Sequence, residues 1–378
     1  MVMDRLFLLM KEKEASDMFM SVNSPIHLKV NGNMVPINQQ KMDQKTIMTL
    51  LGEVVSAAKL EELERDNELN MGIPVAGIGS FRLSAFRQRG SVSAVLRYVP
   101  SHIPAMASLH IPPILGDLIM EKRGLLLVVG STGSGKSTTI ASMLDHRNEL
   151  RTGHILTLED PIEFLFHNKK SIVNQREIGT DSRNLGIALK NALRQAPDCI
   201  LIGEIRDKDT MSAALAYAQS GHLVVATLHA NNSYQALTRI INFYPIETRQ
   251  SLLPDLAATL KAIVSQRLIP TIDGGRRAAV EVLLNTRYVA ELIEQGEIGQ
   301  IKEAIEKSLS PGSQTFEQAL MQLLNDGVIT QDDALANADS ATNLYWLINN
   351  VQTAKPVAVP EEVPKVEGAT FTEFTLDV

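Results

Sequence analysis

The residues best suited to chemistry form one short run, Gly130-Ser-Thr-Gly-Ser-Gly-Lys-Ser137, which matches the phosphate-binding pattern G-x-x-x-x-G-K-[ST]. Its glycines let backbone N–H groups curl around phosphate oxygens, and a helix opening behind it adds a favourable dipole. On this pattern Ser131, Thr132, Gly133, Ser134, Gly135, Lys136, Ser137 and Thr138 cradle the phosphates of a bound ligand. Lys136 reaches the β- and γ-phosphates and Ser137 holds Mg2+. The context is the required one: an apolar run, Leu125 to Val129, precedes the loop, and a helical run, Ser137 to Leu144, follows it.

Phosphoryl transfer also needs a metal and a group that orients or deprotonates water. Glu159, Asp160 and Glu163 lie in Leu158-Glu-Asp-Pro-Ile-Glu-Phe164, just past a predicted strand end, where ligands bind in open α/β sheets. Glu204 follows the run Cys199-Ile-Leu-Ile-Gly203, a position from which an acid can hold Mg2+ through water. A lone acid at a strand end is more often a helix N-cap or a solvated loop charge, so spacing alone leaves each of these open.

His222 and His229 flank the apolar run Leu223 to Thr227. With no acid or cysteine at ligand spacing they do not read as a metal pair; each is a hydrogen-bonded structural residue or, near a phosphate, a sensor of it. Arg82, Arg87, Arg89 and Arg97 cluster in one predicted strand pair. They form an exposed sheet face, or some reach a nucleotide held by another subunit, since an arginine supplied in trans stabilises transition-state charge. Cys199 opens an apolar strand and reads as a small buried hydrophobe. Met18 and Met20 fill a core or a partner surface.

The elements that must position these groups fall into blocks. Residues 1–100 read as a small mixed α/β region: a helix from Asp4 to Lys13, a strand at Ile26 to Val30, and a turn at Asn31-Gly-Asn33. A helical stretch from Gln44 to Glu64 follows, then strands around Phe81–Phe86 and Val92–Val99. Four prolines between 100 and 113 mark 101–115 as a linker. From 116 onward apolar runs at Leu125–Val129, His154–Leu158, Cys199–Ile202 and Leu223–Thr227 alternate with helical patterns. Asp181-Ser182 offers an N-cap before the apolar face of Leu185, Leu189, Ala192 and Leu193. That alternation predicts a mostly parallel sheet covered on both faces. Residues 276 to 350 read mainly helical, this second unit spans 116–345, and the proline-bearing acidic segment 346–378 reads as a disordered tail.

Composition sets the outer bounds. A chain of 378 residues holds roughly two to three domains at about 150 each. At 44% hydrophobic and 21% charged it can bury a sizeable core. Lys plus Arg is 36 and Asp plus Glu is 43, a net charge of −7, which argues against nucleic acid as the main partner. One cysteine excludes an intramolecular disulfide and a cysteine-rich zinc site, as fits a reducing cytoplasm. Leu6 to Met10 is too short for a secretory leader, and no apolar run approaches the ~20 residues that span a bilayer.

Taken together, Ala15-Ser-Asp17, the loop at 130–137, Leu158-Glu-Asp-Pro-Ile-Glu163, Gly203-Glu-Ile-Arg-Asp207 and Gly221-His-Leu … Thr-Leu-His229 resemble the secretion-type ATPases of type IV pilus systems. The resemblance covers about residues 3–345 and is strongest to the twitching-motility retraction branch, the PilT/PilU family. Ala192-Leu-Arg-Gln-Ala-Pro-Asp198, Leu228-His-Ala-Asn-Asn232 and Asn242-Phe-Tyr-Pro245 carry it further. It implies an α/β protein: a PAS-like N-terminal α+β domain, a RecA-like P-loop core with a helical C-terminal part, and a ring hexamer. It further implies Glu163 as general base, Glu204 as Walker B acid and Mg2+ ligand, and His222 and His229 as the histidine box. Arg82 and Arg97 complete the site across domains or subunits.

The implied partners are the main pilus retraction ATPase and an inner-membrane platform protein, with no nucleic acid. The implied location is cytoplasmic, peripheral at the inner-membrane face of the pilus machine. Two departures stand out. The first motif continues with Met18-Phe19 where the family has Leu-His, and Ala290 and Glu294 stand where retraction motors carry arginines. These suit an accessory motor. The alternatives are a nucleotide-binding adaptor between the main motor and the platform, or a related secretion or pilus-extension ATPase. A four-cysteine zinc module and an extra N-terminal domain, which usually mark the last group, are not seen.

Overall fold

The computed structural model describes residues 1–30, 32–99 and 102–353, with side chains through 350. The first domain is a six-stranded antiparallel sheet with helices packed against it. Its elements are α1 (Val2–Glu12), β1 (Asp17–Met20), β2 (His27–Val30), β3 (Asn33–Pro36), α2 (Gln44–Gly52) and α3 (Ala57–Asp66). A meander of β4 (Glu68–Val75), β5 (Gly79–Gln88) and β6 (Ser91–Val99) completes it, in the sheet order β3-β2-β1-β6-β5-β4.

Helix α1 buries Met3, Leu6, Phe7 and Met10, the i, i+3, i+4, i+7 stripe of a surface helix. Phe7 stacks on Phe81 of β5 with ring centroids 4.1 Å apart. Along β5, Phe81, Leu83 and Ala85 are buried while Arg82 and Ser84 face the other side. That alternation is what turns Arg82 away from the core. The helical stretch expected from Gln44 to Glu64 is two helices, broken at residues 53–56, with Asp43 capping the first through the Thr46 N–H. In the expected turn, Asn31 lies outside the described residues; Val30 pairs with Asn33 as a hairpin requires. Met18 and Met20 are both core residues.

Two short helices, α4 (Met106–Leu109) and α5 (Ile114–Ile119), lead into the second domain, and Ile111 and Leu115 are already buried in its core. The strands there are β7 (Gly124–Val129), β8 (Gly153–Glu159), β9 (Ser171–Glu177), β10 (Cys199–Ile202) and β11 (Leu223–Leu228). A hairpin of β12 (Leu260–Pro270) and β13 (Arg276–Leu284) closes one edge, in the order β13-β12-β7-β11-β10-β8-β9. All pairings are parallel except β12–β13. Strand β7 is buried on both faces. Leu125, Leu127 and Val129 face one core cluster, and Leu126 and Val128 the other.

Helix α6 (Lys136–Leu150) and α5 cover the second face. Helices α7 (Leu185–Ala192), α8 (Lys208–Gln219), α9 (Ser233–Asn242), α10 (Ile246–Thr259), α11 (Arg287–Gln295) and α12 (Ile301–Glu306) cover the first. The N-cap of α7 is Asn184, which accepts from the Ile187 N–H, rather than Asp181-Ser182; Asp181 instead accepts from the Glu177 N–H. Residues 276–284 are a strand and not helix, because they pair along β12. Beyond them α13 (Phe316–Asn325), α14 (Gln331–Asn337) and α15 (Ala341–Thr353) form a small cluster against that hairpin.

Arg267 of β12 ties the cluster down. It donates to the carbonyls of Asn231 and Asn337, pairs with Asp339, and lies over the Phe316 ring at 3.9 Å. Helix α15 continues through Thr353, past the expected start of the tail at 346; residues 354–378 lie outside the described residues. Among the described residues no helix is long and apolar enough to cross a membrane.

Candidate nucleotide-binding site

The loop after β7 turns through three glycines with positive φ: Gly130 at 155°, Gly133 at 79° and Gly135 at 88°. Gly130 also has no room for a side chain, since a Cβ there would lie 2.4 Å from Ser134 Oγ and 2.6 Å from the Gln266 carbonyl. Gly135 is the N-cap of α6. Lys136 follows, nearly buried, and its Nζ donates to the Gly130 and Ser131 carbonyls at 2.8 Å each. Burial pushes its pKa down, and the nearby Glu204 and Glu163 carboxylates push it back up. Ser137 and Thr138 stand in the first turn of α6, and Ser131, Thr132, Gly133 and Ser134 form the loop itself. Gln266 of β12 braces the loop by accepting from Thr139 Oγ1 at 2.8 Å.

Parallel register brings the other groups to the same end of the sheet. Leu158 pairs with Ile202, and Leu228 with Val129. Glu159, Glu204, His229 and Gly130 therefore leave adjacent strands on one rim, where such sheets bind ligands. They border a cleft of about 1010 Å3 whose lining includes Lys136, Ser137, Glu159, Glu163, Glu204 and His229.

Glu204 lies 3.4 Å from His229 Nε2 through one oxygen and accepts from Arg206 Nε at 2.6 Å through the other. That contact raises the pKa of Arg206. Glu159 is buried, and desolvation raises its pKa even though the Thr157 hydroxyl and the Gln175 amide donate to it.

Glu163 faces the cleft from the loop after β8. Its carboxylate is 3.0 Å from the Arg82 guanidinium, which reaches across from β5 of the first domain. Nε of Arg82 is buried without a hydrogen-bond partner, leaving an unused donor on this guanidinium. A second contact joins the domains beside it. Gly72, opposite Arg82 on β4, has no side chain, and a Cβ there would sit 3.3 Å from the Glu177 carboxylate.

Two expected site residues are not brought to the cleft within this chain. Arg97 pairs across the sheet with both Arg82 and Asp17, and its Nε donates to the Asp17 carboxylate at 2.8 Å. That accounts for the Asp of the Ala15-Ser-Asp17 motif, and Arg97 remains 64% exposed. His222 precedes β11 and His229 follows it, so six strand residues separate them, roughly 20 Å of extended chain. His222 thus lies at the opposite rim, with its ring Nδ1 3.0 Å from Ser220 Oγ and 3.2 Å from the Tyr217 carbonyl. Gln175, Glu177, Arg206 and Gln266 carry no signal in the sequence beyond Arg206's place in Gly203-Glu-Ile-Arg-Asp207.

The donor set suits Mg-nucleotide. The Ser137 hydroxyl and the Glu204 carboxylate are hard oxygen donors of the kind Mg2+ takes, and the loop and Lys136 suit phosphate oxygens.

Comparison with known proteins agrees with this geometry. Residues 2–295 match the family described as Type II/IV secretion system protein. The Pseudomonas aeruginosa type IV pilus ATPase PilU is 47% identical over 350 residues, spanning 92% of this chain and 91% of that one. The type IV pilus retraction ATPase PilT of the same organism is 37% identical, over 87% of this chain and 96% of that one. A crystal structure of the pilus retraction motor PilT with bound ADP superposes with a TM-score of 0.85 at 37% identity, over 90% of this chain and 99% of that one.

Proposed function

The chain belongs to the type II/IV secretion system ATPases, in their PilT/PilU branch, and we propose that it is an Mg-dependent ATP-hydrolysing motor for type IV pilus retraction. The observation that carries this reading is one cleft holding both the phosphate loop with Lys136 and the Glu163 carboxylate.

In this reading the backbone N–H groups of 131–137 and the Lys136 ammonium hold the phosphates. Glu163 takes the proton of the attacking water. Arg82 balances the charge that develops on the transferred group, and His229, beside Glu204, reports whether the γ-phosphate is present. Ser137 directly, and Glu204 partly through water, would hold Mg2+, which supplies charge neutralisation at the phosphates. Arg206, donating to its second oxygen, orients Glu204.

The motor works as a homo-hexamer on an inner-membrane platform protein, at the cytoplasmic face of that membrane, beside the main retraction ATPase. The guanidinium of Arg97 supports a ring, since Asp17 holds it by Nε alone and leaves it exposed toward a neighbour's nucleotide. The accessory role is supported by α11, where Ala290 packs against the core and Glu294 is exposed, in place of arginines.

The test is Mg-dependent ATP hydrolysis by the full chain beside Glu163→Gln, with oligomeric state read on the same samples. Turnover by a hexamer, reduced about 10²- to 10⁴-fold in the variant while ATP binding persists, is the expected result. Wild-type turnover in the variant would remove Glu163 as the base.

A further inference from the structure

Glu163 can serve as a base only if the loop that carries it keeps one shape. Residues 160–166 belong to no helix or strand, so their backbone groups need partners from elsewhere. Most come from the edge strand β9. Gln175 sits opposite Thr157 in the parallel register, and its side chain reaches over the end of the sheet. Its Oε1 accepts from the Phe166 N–H at 2.9 Å. Its Nε2 donates to the Phe164 carbonyl at 2.8 Å and to Glu159 Oε1 at 3.1 Å. The two backbone partners decide which end of the amide is which, because an N–H needs an acceptor and a carbonyl needs a donor.

The same loop is held at one more point. Glu177 Oε2 accepts from the Ile162 N–H at 3.2 Å, while the Glu159 carboxyl, itself held by the Thr157 hydroxyl, steadies the Gln175 amide. Two side chains of β9 thus hold the backbone on both sides of Glu163. Gln175 is the member with both a donor and an acceptor on the loop, and it does not line the cleft.

We infer that Gln175 is a positioning residue for hydrolysis: its amide clamps residues 164–166 so that Glu163 faces the phosphates, without itself touching nucleotide. This rests on the reading of Glu163 as the base. A loop left to wander carries its carboxylate off the line of attack, and a misplacement of about 1 Å costs up to about 10²-fold in rate. Nucleotide affinity, set by the phosphate loop, is untouched by such a shift.

The test uses the full chain with Gln175→Glu and Gln175→Ala. Glutamate keeps the shape but turns an acceptor toward the Phe164 carbonyl and Glu159; alanine removes both bonds. Both variants are expected to lose about 10- to 100-fold in kcat with KM for ATP within about twofold. Backbone amides of 162–166 should exchange faster with solvent, while those of β7 and β11 keep their protection. Unchanged kcat in both variants overturns the inference. So does a loss of amide protection spread over the whole domain, which would make Gln175 a residue of general stability. If Glu163→Gln retains full turnover, the base assignment fails by itself; exchange at 162–166, which needs no chemistry, still judges the clamp.

Discussion

The guanidinium of Arg82 and the carboxylate of Glu163 stand 3.0 Å apart although they belong to different domains. The contact places a cation from the first domain on the carboxylate we propose as the base in the second. It also means that any rotation of one domain against the other changes the charge environment of Glu163 directly.

Arg82→Ala should therefore lower ATP turnover steeply, by about 10³-fold, the scale on which an arginine stabilises phosphoryl transfer. Fold stability should barely change, because a partly exposed ion pair is worth no more than about 1 kcal/mol. Lysine should not rescue it, since the planar fork is lost. Turnover and thermal unfolding measured on the same variant settle both halves; unchanged turnover would show that the pair is structural.

Cys199 is fully buried, and burial pushes its thiol up to about 11. Only the thiolate attacks disulfide reagents. In the native protein at pH 8 Ellman's reagent should thus find no reactive thiol, and should find one on unfolding in guanidinium. The sign for stability follows from the raised value. The contribution is complete below the ordinary thiol pKa and is lost as pH rises toward about 11. Rapid native labelling would place the thiol at an accessible site.

Glu281 of β13 is buried, and its Oε1 accepts from the Ser233 N–H, the Ser233 hydroxyl and the Ser265 hydroxyl. Desolvation raises its pKa above the ordinary glutamate value. The folded state then holds a proton that the unfolded chain releases, so stability falls as pH climbs from the ordinary value through the raised one. Glu281→Gln keeps the acceptor and cannot titrate. Its melting temperature relative to wild type should rise between pH 5 and pH 8, each unit of raised pKa counting for about 1.4 kcal/mol. A variant that instead loses ground toward pH 8 would show that the carboxylate is stabilising when charged.

How much of this was legible beforehand depended on how local each signal is. The loop at 130–137 is readable because its glycines, Lys136 and Ser137 act within eight residues. Strands β7, β10 and β11 are readable because parallel strands buried on both faces spell apolar runs. Strand β9 is hidden, since an edge strand can carry Asn174, Gln175 and Arg176, and β13 is masked by Glu281. The clamp at Gln175 and the brace at Gln266 depend on which strands become neighbours; Thr139 and Gln266 are 127 residues apart. The two histidines show the opposite failure. Both were visible, but a six-residue strand between them necessarily sends them to opposite rims.

The junction at Arg267 bears on how such proteins can be recombined. One guanidinium joins residue 231, just past His229, to residues 316, 337 and 339 of the last helices. The C-terminal cluster is therefore no detachable appendage. A chimera that exchanges it with another member of the family inherits, or forfeits, the wall beside His229. Loop 229–232, Arg267 and the 316–339 segment form one mechanically joined unit, and a workable crossover point must fall outside it.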